Sequence, residues 1–146
     1  MNIINPANHE LITTVEVDDQ KTIANKLDSL QEGQKKWAKV SLGQRIEIMR
    51  RFSELLQANL ENCASILTSE VGKPLQQSKN EVNGACARIE WLTANAEQSL
   101  KDEWMVKTGA TREKIVYEPL GVVCNISAWN YPYLVGTNVF VPALFI

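Results

Sequence analysis

Two side chains near the end of the chain, the Trp129 indole and the Asn130 amide, have the type and the position to do chemistry. They follow an apolar run, Leu120 to Ile126, which is rich in β-branched residues and is expected to form a strand buried on both faces. Pro132 suits the first turn of a helix, where its missing N–H costs nothing. In open α/β sheets, ligands bind where strands end and helices begin. A neutral amide there can donate a hydrogen bond to a developing oxyanion, which predicts Asn130 as a catalytic residue.

The stretch from Pro119 to Pro132 reads P-L-G-V-V-C-N-I-S-A-W-N-Y-P. It resembles the first βα unit of the cofactor domain in the aldehyde dehydrogenase family, whose usual form is P-L-G-V-V-x-x-I-x-P-W-N-[FY]-P. Ala128 stands where the family usually has proline, so the turn entering Trp129 is expected to be less rigid. The alternative interpretation is a surface loop in which Asn130 only caps the following helix.

This resemblance implies oxidation of a small-molecule aldehyde to a carboxylic acid, with NAD or NADP as the cofactor. It implies that a cysteine thiolate attacks the carbonyl, that Asn130 and a backbone N–H hold the oxyanion, and that a glutamate activates the water that releases the thioester. Five residues would border the ribose and pyrophosphate region of the cofactor: Ile126, Ser127, Ala128, Trp129 and Asn130. The general run of the helices is similar to the succinate-semialdehyde dehydrogenase branch, which suggests succinate semialdehyde as the substrate.

The resemblance also places the family's nucleophilic cysteine, general-base glutamate, cofactor lysine and glycine-rich phosphate turn beyond Ile146. We therefore interpret the chain as a truncated N-terminal part of a longer enzyme and expect it to be inactive alone. Its three cysteines, Cys63, Cys86 and Cys124, lack an adjacent base and are predicted to be structural thiols.

The elements that must position the turn are mostly helices. Asp18 is a good N-cap for the first of them, with Ile23, Leu27 and Leu30 on its apolar face, and Ser41 with Gln44 forms a capping box for the second. Four helices are predicted, over about 18–37, 41–58, 59–72 and 74–100, and a fifth over about 131–146. Gly84, inside the fourth helix, costs stability unless another element packs closely there.

Strands are predicted at both ends of this helical part. The first 17 residues read as a β-hairpin, with Leu11 to Val17 as a half-buried strand. Lys101 to Ala110 reads as an irregular linker, and Thr111 to Glu118 as an amphipathic strand. By resemblance, that strand belongs to the sheet through which subunits pair, so a homo-oligomer is expected.

The resemblance therefore implies an α/β fold with a Rossmann-type cofactor domain, of which this chain is a mostly helical part with an N-terminal β-hairpin and two late strands. Residues 1–110 would be the hairpin and helical part of the cofactor domain, 111–119 the strand of the oligomerisation sheet, and 120–146 the first strand-turn-helix of the dinucleotide-binding fold.

Two further short motifs match the family. Glu70 to Pro74 reads E-V-G-K-P, matching the family's E-x-G-K-P, and Glu81-Val82 matches the E-V that follows it. In the family these elements are structural and join two helices beside the cofactor domain. Lys73 is therefore not expected to be a cofactor lysine.

Composition excludes several classes of function. The net charge of −2, from 15 basic and 17 acidic residues, gives no sign of nucleic-acid binding. An odd number of cysteines without C-x-x-C spacing argues against disulfides and zinc, and the single histidine, His9, lies in a predicted turn. No apolar run reaches the roughly 20 residues of a membrane span, and no signal-peptide pattern opens the chain, so a cytoplasmic location is the default expectation.

Two other hypotheses compete with the dehydrogenase. One is a non-catalytic helical interaction module that reuses the front half of the fold. The other is a helical bundle unrelated to the family, which would require a structure without a strand at Val122 to Ile126.

Overall fold

The computed structural model describes all residues from Met1 to Ile146. It contains five helices: α1 (Gln20–Trp37), α2 (Leu42–Ala58), α3 (Leu60–Val71), α4 (Leu75–Ser99) and α5 (Pro132–Phe145). It contains four strands, β1 (Asn2–Ile4), β2 (Leu11–Thr14), β3 (Glu103–Thr108) and β4 (Thr111–Ile115), which form two separate antiparallel pairs, β1–β2 and β3–β4. The predicted mostly helical chain with an N-terminal hairpin is confirmed. No helix combines the length and apolar character needed to cross a membrane.

Local sequence signals set most helix ends. The Ser41–Gln44 capping box opens α2 as predicted, and Gly72 ends α3 in the left-handed region at φ 77°. The predicted N-cap of α1 was wrong by one residue. Asp19, not Asp18, accepts a hydrogen bond from the Thr22 backbone N–H at 2.7 Å, because Thr22 lies at the position that completes a capping box with Asp19.

The core lies between α2, α4 and α5, and α3 packs against α4. Its fully enclosed apolar side chains include Val82 and Ile89 on α4 and Val141 on α5. Gly84 faces α5, where a Cβ would come within 3.9 Å of the Leu134 side chain. Another element does pack at this glycine, but a Cβ here would make only ordinary van der Waals contact with it.

The apolar face predicted for α1 does not join this core. Ile23, Leu27 and Leu30 are 57%, 45% and 56% exposed, and no residue of α1 is buried. The reason is that no helix or strand packs closely over this face, and Leu30 borders only an open cleft shared with Val122 and Val139. Only the end of α1 is tied to the bundle, where Trp37 Nε1 donates a 2.8 Å hydrogen bond to the carbonyl oxygen of Leu144.

The strand predictions need three corrections. Residues 101–110 are not an irregular linker, because β3 pairs with β4 across a turn at Gly109, whose φ is 51°. The strand predicted over 111–118 exists as the shorter β4 and is exposed throughout. The strand predicted over 11–17 is likewise shortened to β2, whose residues are all exposed rather than half-buried. The β3–β4 hairpin thus spans the predicted boundary at residue 110, and the division into domains stays a prediction.

The largest correction concerns the predicted buried strand. Leu120 to Ile126 belongs to no strand, and Leu120 and Ile126 are 95% and 93% exposed. A strand needs the backbone of a neighbour to complete its hydrogen bonds, and none of the four strands of this chain lies beside the segment. The apolar composition that indicated a buried strand is therefore present on a segment without a partner.

Candidate functional site

The candidate site is the turn from Trp129 to Pro132, which joins the unpaired segment to α5. Pro132 is the first residue of α5, as predicted, and the N-cap position is occupied by Tyr131, whose side chain makes no capping hydrogen bond. Among the side-chain hydrogen bonds of the structure, none uses the Asn130 amide, although the Asn130 carbonyl oxygen accepts one. The interpretation that Asn130 merely caps the helix therefore fails, and its amide is free to meet a ligand.

The five residues predicted to border a cofactor lie consecutively along the end of this segment and the turn. Ile126 and Trp129 are 93% and 80% exposed, and Ala128 and Asn130 are also exposed. Ser127 is half-buried, and its hydroxyl donates to Asn125 Oδ1 at 2.9 Å and faces Gly136 of α5. No backbone N–H from Ile126 to Asn130 donates a hydrogen bond within the chain. Free N–H donors beside an exposed indole suit a ligand with phosphate oxygens and a flat polar ring system, so these residues fit a dinucleotide.

Glu81, on α4, provides the capping group that the turn itself lacks. One of its carboxylate oxygens accepts hydrogen bonds from the backbone N–H groups of Tyr133 at 2.9 Å and Leu134 at 3.4 Å. Pro132 has no N–H, so these are the first two donors that α5 offers. A carboxylate at this place is also favoured by the dipole of the helix. The start of α5 is thus fixed by a side chain from another helix.

Lys73 links this carboxylate to the turn. Its ammonium group lies 2.5 Å from the second oxygen of Glu81 and donates to the carbonyl oxygen of Asn130, also at 2.5 Å. It lies 3.7 Å from the centre of the Tyr131 ring, in the geometry of a cation–π contact. The Glu81 side chain is fully buried and that of Lys73 is 9% exposed, so this is a buried ion pair.

The role of this pair at the turn was not predicted from the sequence. The two motifs that contain Lys73 and Glu81 predict only a structural connection between two helices. The sequence does indicate that the Glu81 carboxylate is buried, because Glu81 lies on the same helix face as Ser78 and Ala85, which are fully buried. A carboxylate on a buried face needs hydrogen-bonding or charged partners, and the partners of Glu81 lie at the candidate site.

None of the three cysteine thiols makes a hydrogen bond to residues 129–132. Burial raises the pKa of the Cys86 thiol, whose Sγ donates to the Ser53 carbonyl oxygen at 3.7 Å, so this thiol is a poor nucleophile at neutral pH. The Cys63 carbonyl accepts from the Tyr133 hydroxyl at 3.4 Å, and burial of that tyrosine raises its pKa to about 12. Cys124 is exposed, not enclosed in a strand as predicted. No group of three His, Cys, Asp or Glu side chains is arranged to hold a metal ion.

The helices, the exposed β3–β4 hairpin and the turn in front of α5 are the parts that the sequence resemblance led us to expect in a dehydrogenase cofactor domain. Comparison with known proteins tests this class. The model of the aldehyde dehydrogenase family matches residues 1–146, and the chain belongs to that family.

Relatives and solved structures agree with this assignment. A probable NADP(+) succinate-semialdehyde dehydrogenase from Synechocystis sp. is 31% identical over 141 residues, covering 97% of this chain and 31% of the relative. A 3,6-anhydro-alpha-L-galactose dehydrogenase from Vibrio sp. is 32% identical over 144 residues, with 97% and 30% covered. The crystal structure of an aldehyde dehydrogenase from Brucella melitensis biovar abortus matches with a TM-score of 0.92 at 31% identity, covering 99% of this chain and 30% of that one. The chain therefore spans less than a third of the length of these relatives.

These findings decide between the hypotheses drawn from the sequence. The absence of a strand over 122–126 was the observation required by an unrelated helical bundle, but the family match over the whole chain excludes that hypothesis. Nothing found favours a non-catalytic interaction module. The assignment to the aldehyde dehydrogenase family and the mostly helical form of this part of it are confirmed.

Proposed function

We propose that this chain forms the N-terminal part of an NAD(P)-dependent enzyme that oxidises an aldehyde to a carboxylic acid. The observation that carries the proposal is the Asn130 amide, which has no partner within the chain and stands at a turn held by Lys73 and Glu81. A donor that is otherwise unoccupied, on a backbone that is held in place, is what stabilisation of an oxyanion requires.

In this proposal Asn130 donates from its side-chain amide to the aldehyde oxygen. This oxygen is a weak acceptor in the substrate and a strong one in the tetrahedral intermediate, so the hydrogen bond stabilises the transition state preferentially. Ile126 and Trp129 supply apolar contact for the cofactor, and the backbone N–H groups of Ser127 and Ala128 supply donors beside it. The nicotinamide, when bound, supplies the hydride acceptor.

The substrate we propose is succinate semialdehyde, and the cofactor is NAD or NADP. Support comes from the name of the Synechocystis relative, which specifies both succinate semialdehyde and NADP(+). The Vibrio relative, equally similar, is named for a sugar aldehyde, so the choice of aldehyde depends on measurement. We also propose a homo-oligomer that pairs through the exposed β3–β4 hairpin, and a cytoplasmic location.

The test uses the complete enzyme that contains this segment, purified and supplied with succinate semialdehyde and either cofactor. Formation of NADH or NADPH, followed by absorbance, should depend on the aldehyde and should fall strongly in Asn130→Ala. Activity with other aldehydes but not with succinate semialdehyde would reject the substrate. A complete enzyme with no aldehyde-dependent reduction of either cofactor would reject the function.

A further inference from the structure

We propose that Lys73 and Glu81 are positioning residues for the Asn130 amide, beyond joining two helices. This inference rests on the proposed function, because it assigns to the ion pair the task of aiming the oxyanion donor.

The first step of the argument is the connectivity of the pair. The two oxygens of the Glu81 carboxylate have different partners: one accepts from the N–H groups of Tyr133 and Leu134, and the other accepts from the Lys73 ammonium. The same ammonium donates to the Asn130 carbonyl oxygen. A continuous chain of charge-assisted hydrogen bonds therefore holds the backbone on both sides of the turn, before Tyr131 and after Pro132.

The second step is the covalent geometry of Asn130. Its carbonyl carbon and its Cβ are both bonded to the same Cα, so fixing the direction of the carbonyl and the start of α5 leaves little freedom in the Cα–Cβ direction. The Asn130 side chain makes no hydrogen bond that would hold it directly. The position and direction of its Cα–Cβ bond therefore depend on the backbone, which Lys73 holds at the Asn130 carbonyl oxygen.

The third step is burial. The side chains of Glu81 and Lys73 are 0% and 9% exposed, so water cannot readily replace either partner. Loss of one partner leaves the other charge buried and unpaired, and loss of Lys73 also removes the hydrogen bond to the Asn130 carbonyl oxygen that holds the turn. A displacement of about 1 Å at a reacting group can cost on the order of 10²-fold in rate.

Lys79 of α4 offers a control for Lys73, which lies in the connection between α3 and α4. Lys79 pairs with Glu61 of α3 at 2.7 Å, but the Glu61 side chain is 74% exposed and no contact joins this pair to the turn. Lys79→Met and Lys73→Met thus each remove an ammonium group that pairs with a glutamate, and only Lys73→Met releases Asn130.

The experiment is a double-mutant cycle on kcat in the complete enzyme, using Lys73→Met, Asn130→Ala and the combined variant, with Lys79→Met as the control. We expect Lys73→Met to lower kcat by about tenfold or more, because a small displacement of a catalytic group has a large effect on rate. The kcat of Lys79→Met should stay within about twofold of the parent value. In the Asn130→Ala background, Lys73→Met should add less than about twofold, because a residue that acts through another loses its effect when the other is gone. A merely structural role would lower kcat equally in both backgrounds.

The outcomes separate the two proposals. If Asn130→Ala leaves kcat unchanged, the oxyanion role itself fails. If Asn130→Ala is impaired but Lys73→Met is fully active or has the same effect in both backgrounds, the positioning role is overturned and the oxyanion role stands. Should Lys73→Met not fold, Glu81→Gln enters the same cycle, because the amide keeps the shape and an acceptor for the α5 N–H groups while losing the charge that holds Lys73.

Discussion

Replacement of Asn130 should lower kcat strongly while leaving the stability of the fold almost unchanged. The Asn130 side chain is exposed, makes no hydrogen bond and does not occupy the N-cap of α5. Its removal in Asn130→Ala should therefore change the free energy of unfolding by no more than about 0.5 kcal/mol, as for other surface substitutions. Loss of an oxyanion donor typically lowers kcat by about 10²–10³, or about 2.7–4 kcal/mol of transition-state stabilisation.

The variant Asn130→Asp distinguishes an oxyanion-binding role of Asn130 from a helix-capping role. A carboxylate just ahead of the α5 N-terminus is favoured by the helix dipole by about 0.3–1 kcal/mol, so this variant should be as stable as the parent or slightly more stable. Its kcat should nevertheless fall at least as far as that of Asn130→Ala, because a negative charge repels the oxyanion. Thermal unfolding and steady-state kinetics of the complete enzyme provide both quantities. A stable and fully active Asn130→Asp enzyme would refute the oxyanion role.

Three further outcomes are expected. Trp129→Ala should raise the KM for the cofactor with a smaller effect on kcat, because its 80% exposed indole supplies contact area rather than folding energy, and an unchanged cofactor KM would contradict this. Residues 1–146 alone should reduce neither NAD nor NADP with any aldehyde, and measurable reduction by the purified chain would contradict the placement of the nucleophile outside it. The same chain should self-associate, because exposed apolar side chains such as Leu120 and Ile126 form patches that are uncommon on monomers, and a monomer by light scattering at high concentration would count against this.

The helices could be predicted from the sequence because their signals are local. A capping box at Ser41, a left-handed glycine at Gly72 and a proline before α4 act within a few residues and are sufficient to place helix ends. The turn at Pro132 was predictable for the same reason. Even the one-residue error at Asp18 arose between two neighbouring aspartates, of which only Asp19 has threonine three residues later.

Burial could not be predicted in the same way, because it depends on what packs against a face. The apolar face of α1 and the run from Leu120 to Ile126 have the composition of buried elements, yet both are exposed in a chain that offers no element to cover them. The opposite error occurred at β3, which lies in the stretch from Lys101 to Ala110 that was predicted as an irregular linker containing Gly109. Its partner β4 follows directly, and pairing with that neighbour forms the strand.

The Lys73–Glu81 pair is difficult to explain by stability alone. Burying two charges costs several kcal/mol per ion, and well-packed apolar residues often replace such pairs without loss of stability. An apolar pair at these positions could still pack the α3–α4 connection against α4, beside the buried Ala64, Leu67 and Val82. It could not accept hydrogen bonds from the two N–H groups of α5 or donate one to the Asn130 carbonyl, and both sides of the turn would be left without a partner. The charges give partners to the backbone on both sides of the turn, and a turn held in this way is what the proposed positioning of the Asn130 amide requires.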